Sequence, residues 1–395
     1  MSRQIKIAYG PIEVGSSYSI DKDVIELGAV FTMSLMSYFD YMVRPIGSFE
    51  SIILISTSNA SEEALYRERL SSNVLYYVYN KRSEKDLKSW LKLLERVRAR
   101  FKYEILLGSN VFNREISCLS SHYGFKTVAL VHSGIYDNGI SYDDKLGNAV
   151  NNFEDARDGV SCILDSKAIL ISHQQKRGFI IRAKRFLSAS MLREIDSRTR
   201  VVRTGIDLKS IKNQNNTVYD VGSFYRIDRA KGTRDVHKQL IKMRKKWKRI
   251  AVTVIGPGTS DTEKMMCLPE FDVTYRCNRA SFLEIAGKTK CAIYNSEIES
   301  SPIAILEAFA VGCLPIIVKN SWSKAFLKGC EYPLVFSSLD EVYSLTLIAH
   351  ERYDELYSMF FDLVKREFDA NVQSKALKKA VLELCNLDSI ETRNF

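Results

Sequence analysis

Four charged side chains are spaced to handle an anion that carries hydroxyl groups. Arg226 and Lys231 stand five positions apart in YRIDRAKG, and Glu299 and Glu307 stand eight apart in ESSPIAILE. Across a tight turn, a guanidinium and an ammonium can converge on one diphosphate, the first by its fork of donors and the second as a point charge. A carboxylate has two acceptor oxygens, which suits paired hydroxyls. An isolated pair of basic residues would read as a solvated loop. Here a helix mouth lies in the same half of the chain. Ser301 precedes Pro302, a hydroxyl residue followed by a proline, and that pattern marks a helix start. An apolar helix over 303–311 is expected, closed by Gly312 and flanked by buried strands at 291–295 and 314–318. A helix N-terminus offers backbone N–H groups and the positive end of a dipole to an anion.

These residues need elements that bring loop ends together. Strand-like and helix-like runs alternate along the chain, which predicts parallel sheets covered on both faces. In the first half, strands are expected at 5–9, 51–56, 74–78, 104–107, 127–131 and 168–172, and a further one runs through RTGID to Asp207. Helices are expected between them over 25–42, 61–70, 83–101, 113–123 and near 146–164. The strand IKIAY runs straight into GPIEVGSSYSID, whose Gly15 and Ser16 form a candidate phosphate-facing loop. His132 ends the strand at 127–131, a strand-end place where an imidazole can reach a ligand. Residues 208–218, LKSIKNQNNTV, are polar and read as a linker. The second half opens with a strand at 221–225, the loop with Arg226 and Lys231, and a helix over 233–246. Strands follow at 250–255, ending beside Gly256, at 271–276, ending beside Cys277, and at 334–337. A short helix is expected over 281–287, and the end is mostly helical, 340–384.

Bulk properties narrow the classes. With 395 residues the chain suits two domains, and its 46% hydrophobic content can fill their cores. A net charge of +10 favours an anionic partner. Eight cysteines are scattered without a CxxC pair, which predicts reduced thiols and a cytoplasmic setting instead of disulfides or a zinc site. No signal peptide opens the chain, and the apolar run 27–39 is too short to span a bilayer. The basic segment 176–186, KRGFIIRAKRF, has two readings: a helix lying on an anionic membrane surface, or an ordinary helix with its apolar side inward, which is the commoner case. RKKWKR at 244–249 reads as the solvated end of a helix. No zinc finger, RNA-recognition or helix–turn–helix signature supports a nucleic-acid partner.

Taken together, the motifs carry a resemblance. YRIDRAKG resembles the R-x4-K-G segment, and ESSPIAILEAFAVGCLPII the E-x7-E segment, of the retaining GT-B glycosyltransferases of family 4. RTGID resembles the N-G-V-D that closes the first domain there, and VTVIGPG its V-I-V-G-x-G strand and turn. The resemblance is close over about 200–385 and loose before it. It implies two doubly wound Rossmann-like domains facing across a cleft, 1–207 and 219–370, joined by 208–218, with a C-terminal helix in 371–395 returning to the first domain. It also implies roles. Arg226 and Lys231 would neutralise a donor diphosphate, Glu299 would hold the sugar hydroxyls, and Glu307 the ribose. Ser300, Ser301, Pro302 and Ile303 would line the helix mouth. Gly15, Ser16 and Gly256 would approach the donor, Cys277 would lie by the base, and His132 would lie near the sugar. Ser300 stands where the family has glycine, Thr204 where it has asparagine, and Gly10 and Gly15 where it has a glycine pair.

The implied activity is transfer of a sugar from a UDP- or GDP-sugar to a glycan, lipid-linked or protein-linked acceptor, with retention. No metal site and no cofactor are expected, because no DxD pair lies in a suitable context and the cations can meet the leaving-group charge. Two rivals stand beside it. One is a nucleotide-sugar epimerase or hydrolase on the same architecture; the other is a basic membrane- or nucleic-acid-binding protein with an inactive transferase fold.

Overall fold

The computed structural model describes residues 5–14, 49–57, 75–80, 95, 98–99, 105–109, 124–131, 136–137, 140–141, 160, 163–164, 166–170, 172–208, 217–225, 231–254, 259–275, 277, 279–297, 299 and 301–386. The helices expected over 25–42, 61–70 and 113–123 and most of those over 83–101 and 146–164 lie outside the described residues. So do the candidates Gly15, Ser16, His132, Arg226, Gly256 and Ser300. The chain divides into two compact units, one formed by 1–205 with 371–395 and the other by 206–370.

In the first unit, strands β1 (Ile5–Val14), β2 (Phe49–Thr57), β3 (Leu75–Asn80), β4 (Ile105–Ser109) and β5 (Lys126–Val131) precede a two-residue antiparallel pair, β6 (Tyr136–Asp137) and β7 (Ile140–Ser141). β8 (Lys167–Leu170) and β9 (Thr199–Val201) complete a parallel sheet ordered β3-β2-β1-β4-β5-β8-β9. The first strand runs five residues beyond the expected Tyr9. Its register against β2 slips between Tyr9 and Ile12, so Gly10 and Pro11 sit in a bulge. Proline has no N–H to give a ladder, and the extra residue lets the strand continue past it. Ser172, expected in a strand, is instead the N-cap of helix α1 (His173–Ala183), its hydroxyl accepting from the N–H of Gln175 at 3.0 Å. Helix α2 (Ala189–Ser197) follows. Within α1, Phe179 and Arg182 are buried and Arg177 is exposed, as are Lys184 and Arg185 just past its end. Ile180 and Phe186 pack against the unit's core, so the apolar side of the basic segment faces inward.

The second unit contains β10 (Tyr219–Ser223), α3 (Thr233–Met243), β11 (Ile250–Val254), α4 (Ser260–Met266), β12 (Phe271–Tyr275), α5 (Arg279–Gly287), β13 (Thr289–Tyr294), α6 (Ile303–Ala310), β14 (Leu314–Val318), α7 (Ser321–Leu327) and β15 (Val335–Phe336). All six strands are parallel in the order β12-β11-β10-β13-β14-β15. β11, IAVTV, is buried at every position, as a strand covered on both faces must be. The mostly helical end expected over 340–384 consists of three helices, α8 (Val342–Glu351), α9 (Tyr353–Phe368) and α10 (Ala370–Cys385), the last beginning in the second unit and running through the first. The break before α10 is extended backbone at Asp369, which bridges to Ile206. There the amide of Ile206 donates to Phe368 and that of Ala370 to the carbonyl of Ile206, both at 2.9 Å. The strand expected to run through RTGID to Asp207 is therefore shorter, and Ile206 pairs with Asp369 alone. Helices α4 and α7 were not expected. Each is seven residues long, too short for a periodic stripe, but each is opened by a reciprocal cap, Thr259 with Thr262 and Asn320 with Ser323. No helix among the described residues is long and apolar enough to cross a membrane.

Candidate functional site

The second sheet starts at β10, runs outward through β11 and β12, and then crosses back over β10 to β13. The loops leaving the C-terminal ends of β10 and β13 diverge here, and in such sheets this switch point is where a ligand finds a crevice. Lys231 lies on the loop after β10 and Glu299 on the loop after β13, and the two form an ion pair. Residues 68 apart in sequence are thus brought together by winding alone.

Backbone fit makes the approach possible. Gly232, the N-cap of α3, has φ of 60°. A Cβ there would run into the carbonyl oxygen of Asn295 and lie 2.7 Å from its Nδ2. Any other residue would face both the left-handed strain and this wall. The carboxamide of Asn295 donates to the carbonyl of Gly232 at 3.5 Å, which joins the same two loops a second time. The loop after β13 is also fixed from its far side. The carbonyl of Ser296 accepts from Asn320 Nδ2 at 3.0 Å and from Trp322 Nε1 at 2.6 Å, both at the start of α7.

The ion pair lies in a dry setting. The side chain of Glu299 is 6% exposed and that of Lys231 is 18% exposed. Lys231 Nζ stands 5.0 Å from the ring centroid of Tyr225, whose ring meets that of Tyr294 edge-on at 5.0 Å. A cation over an aromatic face is attracted by about 0.5–1 kcal/mol or more as water is removed. Stability alone does not account for the pair, since dehydrating two charges offsets most of their attraction. Apolar replacements of such pairs are often neutral or stabilising by about 1–4 kcal/mol.

Beside Glu299 stands the apolar helix α6. Pro302 is its N-cap, with ψ of 65°, and not its first helical residue as the sequence pattern predicts. Its carbonyl accepts from the N–H groups of Ile305 and Leu306, and no side chain among the described residues caps the helix. Ser301 therefore sits one position outside the cap. Its Oγ is shielded from solvent and has no hydrogen-bond partner among the described residues. The helix closes as expected at Gly312: with φ of 103°, Gly312 donates to Phe309 and Cys313 to Ala308, at 2.9 and 3.0 Å. Phe309, fully buried, stacks on Tyr357 and meets Phe360, both at 4.7 Å, which fixes the helix against α9. Glu307 lies one turn into α6 and is half-buried.

The structure thus gathers Lys231, Glu299, Ser301, Pro302 and Ile303 at one switch point, with Glu307 one turn behind. Cys277 stands apart, at the end of edge strand β12 and two strands from β10, where burial pushes its thiol up to about 11. The sequence reading missed Tyr225, Gly232, Asn295 and the Asn320–Trp322 brace. Only Gly232, in the K-G of the loop, carried a signal that could have found it.

Neither a family model nor a curated protein matches the chain by sequence. Solved structures match it over nearly its whole length. A glycosyltransferase from Rickettsia africae ESF-5 aligns at a TM-score of 0.64 and 14% identity, covering 96% of this chain and 98% of that one. Sucrose-phosphate synthase from Thermosynechococcus elongatus gives 0.65 and 12%, covering 97% and 99%. HepE of Anabaena, in complex with UDP and glucose, gives 0.62 and 12%, covering 95% and 99%. With two parallel, Rossmann-type units and these neighbours, the chain has the fold of the GT-B glycosyltransferases.

Proposed function

We propose that the chain transfers a glycosyl group from a nucleoside-diphosphate sugar to an acceptor hydroxyl, as the retaining family 4 enzymes do. The observation that carries this reading is the meeting of Lys231 and Glu299, from the loops after β10 and β13, at the switch point of the second unit. One is a cation suited to a diphosphate and the other a carboxylate suited to sugar hydroxyls. The N-terminus of α6, which no side chain among the described residues caps, adds the positive end of a helix dipole beside Glu299. HepE, a neighbour in fold, is seen with UDP and glucose, and by analogy the donor here is a UDP- or GDP-sugar.

In this reading the bond from C1 of the sugar to the diphosphate oxygen breaks while C1 bonds to the acceptor oxygen. The acceptor proton passes to the departing diphosphate. Lys231, Arg226 and the α6 dipole stabilise the charge that develops there. Glu299 and Glu307 orient sugar and ribose. His132, Gly15 and Ser16 belong to the acceptor-side unit in this assignment, Gly256, Ser300 and Ile303 to the donor walls, and Cys277 to the base. The acceptor is a glycan, a lipid-linked sugar or a protein. The basic segment 176–186, with Arg177 on α1 and Lys184 and Arg185 just past its end exposed, offers an electrostatic contact for an anionic surface.

A panel of UDP-, GDP- and ADP-sugars, scored by thermal shift, tests the donor. A ligand at 100 times its Kd adds about 2.7 kcal/mol to apparent stability. Lys231→Ala and Glu299→Gln should each lower transfer per folded molecule about 100-fold or more, the size seen when one charge-stabilising group is lost, and Lys231→Ala should also lower the unfolding midpoint because it strands the buried Glu299 carboxylate. Turnover like the wild type in both variants overturns the site.

A further inference from the structure

We infer that Glu299 and the diphosphate compete for Lys231, and that this competition expels the nucleoside diphosphate once the sugar has gone. The inference rests on the function proposed above. The two side chains are paired across two loops and are 6% and 18% exposed, so each charge is largely cut off from water and is costly to leave unpartnered. An intact nucleotide sugar satisfies both: the diphosphate takes the ammonium, and the sugar hydroxyls donate to the carboxylate. After transfer the sugar leaves with the acceptor. Glu299 has then lost its hydroxyl donors and is a dehydrated anion beside another anion. Recapture of Lys231 relieves it, in the arrangement the loops already hold. The Tyr225 ring, 5.0 Å from Lys231 Nζ, and the Gly232–Asn295 contact keep the ammonium within reach of the carboxylate. The site therefore distinguishes substrate from product by whether Glu299 is occupied by hydroxyls, with no movement of a domain required.

The test is a counter-intuitive gain. Glutamine in Glu299→Gln keeps the shape and the hydrogen bonding but removes the competitor. Titration of UDP, GDP and ADP should show the best-bound diphosphate held about tenfold more tightly by E299Q than by the wild type, a usual size for coupling between two ligands of one group. Stopped-flow should place that gain in koff, because local exchange acts on release, whereas removing a long-range repulsion raises kon. Glu299→Ala reads the same sign if the amide disturbs the loop. Equal or weaker binding by E299Q overturns the inference, and so does tightening that resides in kon alone. A wild-type chain that binds none of the three diphosphates overturns the proposed function as well. One that binds them, with E299Q no tighter, overturns this inference only.

Discussion

The two units wind their sheets alike. Each begins in the middle, runs outward over two strands and crosses back to continue on the other side of the first. They use lysine at opposite ends of that sheet. In the first unit, Lys126 and Lys167 stand at the N-terminal ends of β5 and β8. Lys126 donates to the carbonyl of Cys385 at 2.9 Å and Lys167 to that of Leu384, the last carbonyls of α10, while Arg200 pairs with Glu383 at 2.8 Å. A helix C-terminus is the negative end of a dipole, so these cations hold a structural element in place. In the second unit, Lys231 follows the C-terminal end of β10 and faces a carboxylate on a neighbouring loop. A backbone carbonyl at a helix end is a permanent partner, whereas a side-chain carboxylate can be exchanged for another anion. The same winding is therefore a scaffold for either purpose, and the partner of the charge decides which.

Acid should separate the units most strongly. His237, on α3, is fully buried, and neither ring nitrogen has a hydrogen-bond partner among the described residues. Burial pushes its pKa down to about 4, against a smaller upward pull from Asp261. The unfolded chain takes up the proton near pH 6.5 and the folded unit resists until about pH 4. Stability is thus full above pH 6.5 and falls as the pH drops through that window, by about 3 kcal/mol in total. In the first unit the one described histidine, His173, is exposed. Trp247 and Trp322 are both buried in the second unit and the third tryptophan, Trp90, belongs to the first, so tryptophan fluorescence in a Trp90→Phe background follows unfolding of the second unit in urea. The midpoint should be much lower at pH 4.5 than at pH 7.5, and His237→Leu should flatten the difference. An equal loss in the variant would assign the acid lability elsewhere.

Legibility in the sequence divides along similar lines. Alternating apolar runs such as IAVTV and CAIY announced buried parallel strands, because a strand covered on both faces has few choices of residue. Gly312 announced the end of α6 for a backbone reason confined to one position. Motif spacing nominated Lys231 and Glu299. It could not show that they touch, because their meeting depends on strand order, which no local pattern encodes. Tyr225 and Asn295 went unnoticed for the same reason: an aromatic ring or an amide has no function until its neighbour across the sheet is known. Position within a local frame was also unreliable. Pro302 could be placed at a helix start, but whether it is cap or first turn depends on its ψ, which the ring leaves free.

The lysines of the first unit give the next test. Lys126→Met and Lys167→Met each remove a cation from the end of α10 and keep most of the apolar stem. Each should cost about 1 kcal/mol, the usual scale for a charge at a helix terminus, and together about 2. Hydrogen exchange should report faster opening of amides within α10 in the double variant, with the second unit's β11 and β13 unchanged. Unaltered exchange in α10 would mean that its apolar contacts, among them the buried Leu377 and Val381, hold it without help, and the contrast between the units would weaken.

The smallest expected effect bears on the comparison most directly, since it asks whether Lys231 is held ready for a ligand or merely packed. The ring of Tyr225 lies 5.0 Å from Lys231 Nζ. Phenylalanine keeps the negative face of that ring, whereas leucine keeps apolar bulk without it. A cation–π contact of about 0.5–1 kcal/mol corresponds to a two- to fivefold change in binding. Tyr225→Leu should therefore raise the donor KM about two- to fivefold with kcat nearly kept, and Tyr225→Phe should behave as the wild type does. A purely structural role would predict a different pattern, in which stability falls in step with activity and the two variants differ by how well they fill the space beside Tyr294. If leucine is tolerated without a change in KM, the ammonium needs no aromatic seat, and Glu299 alone sets where it stands. If leucine unfolds the unit, then Tyr225 serves packing first, and the lysine of the second unit is closer in kind to those of the first than its position at the switch point implies.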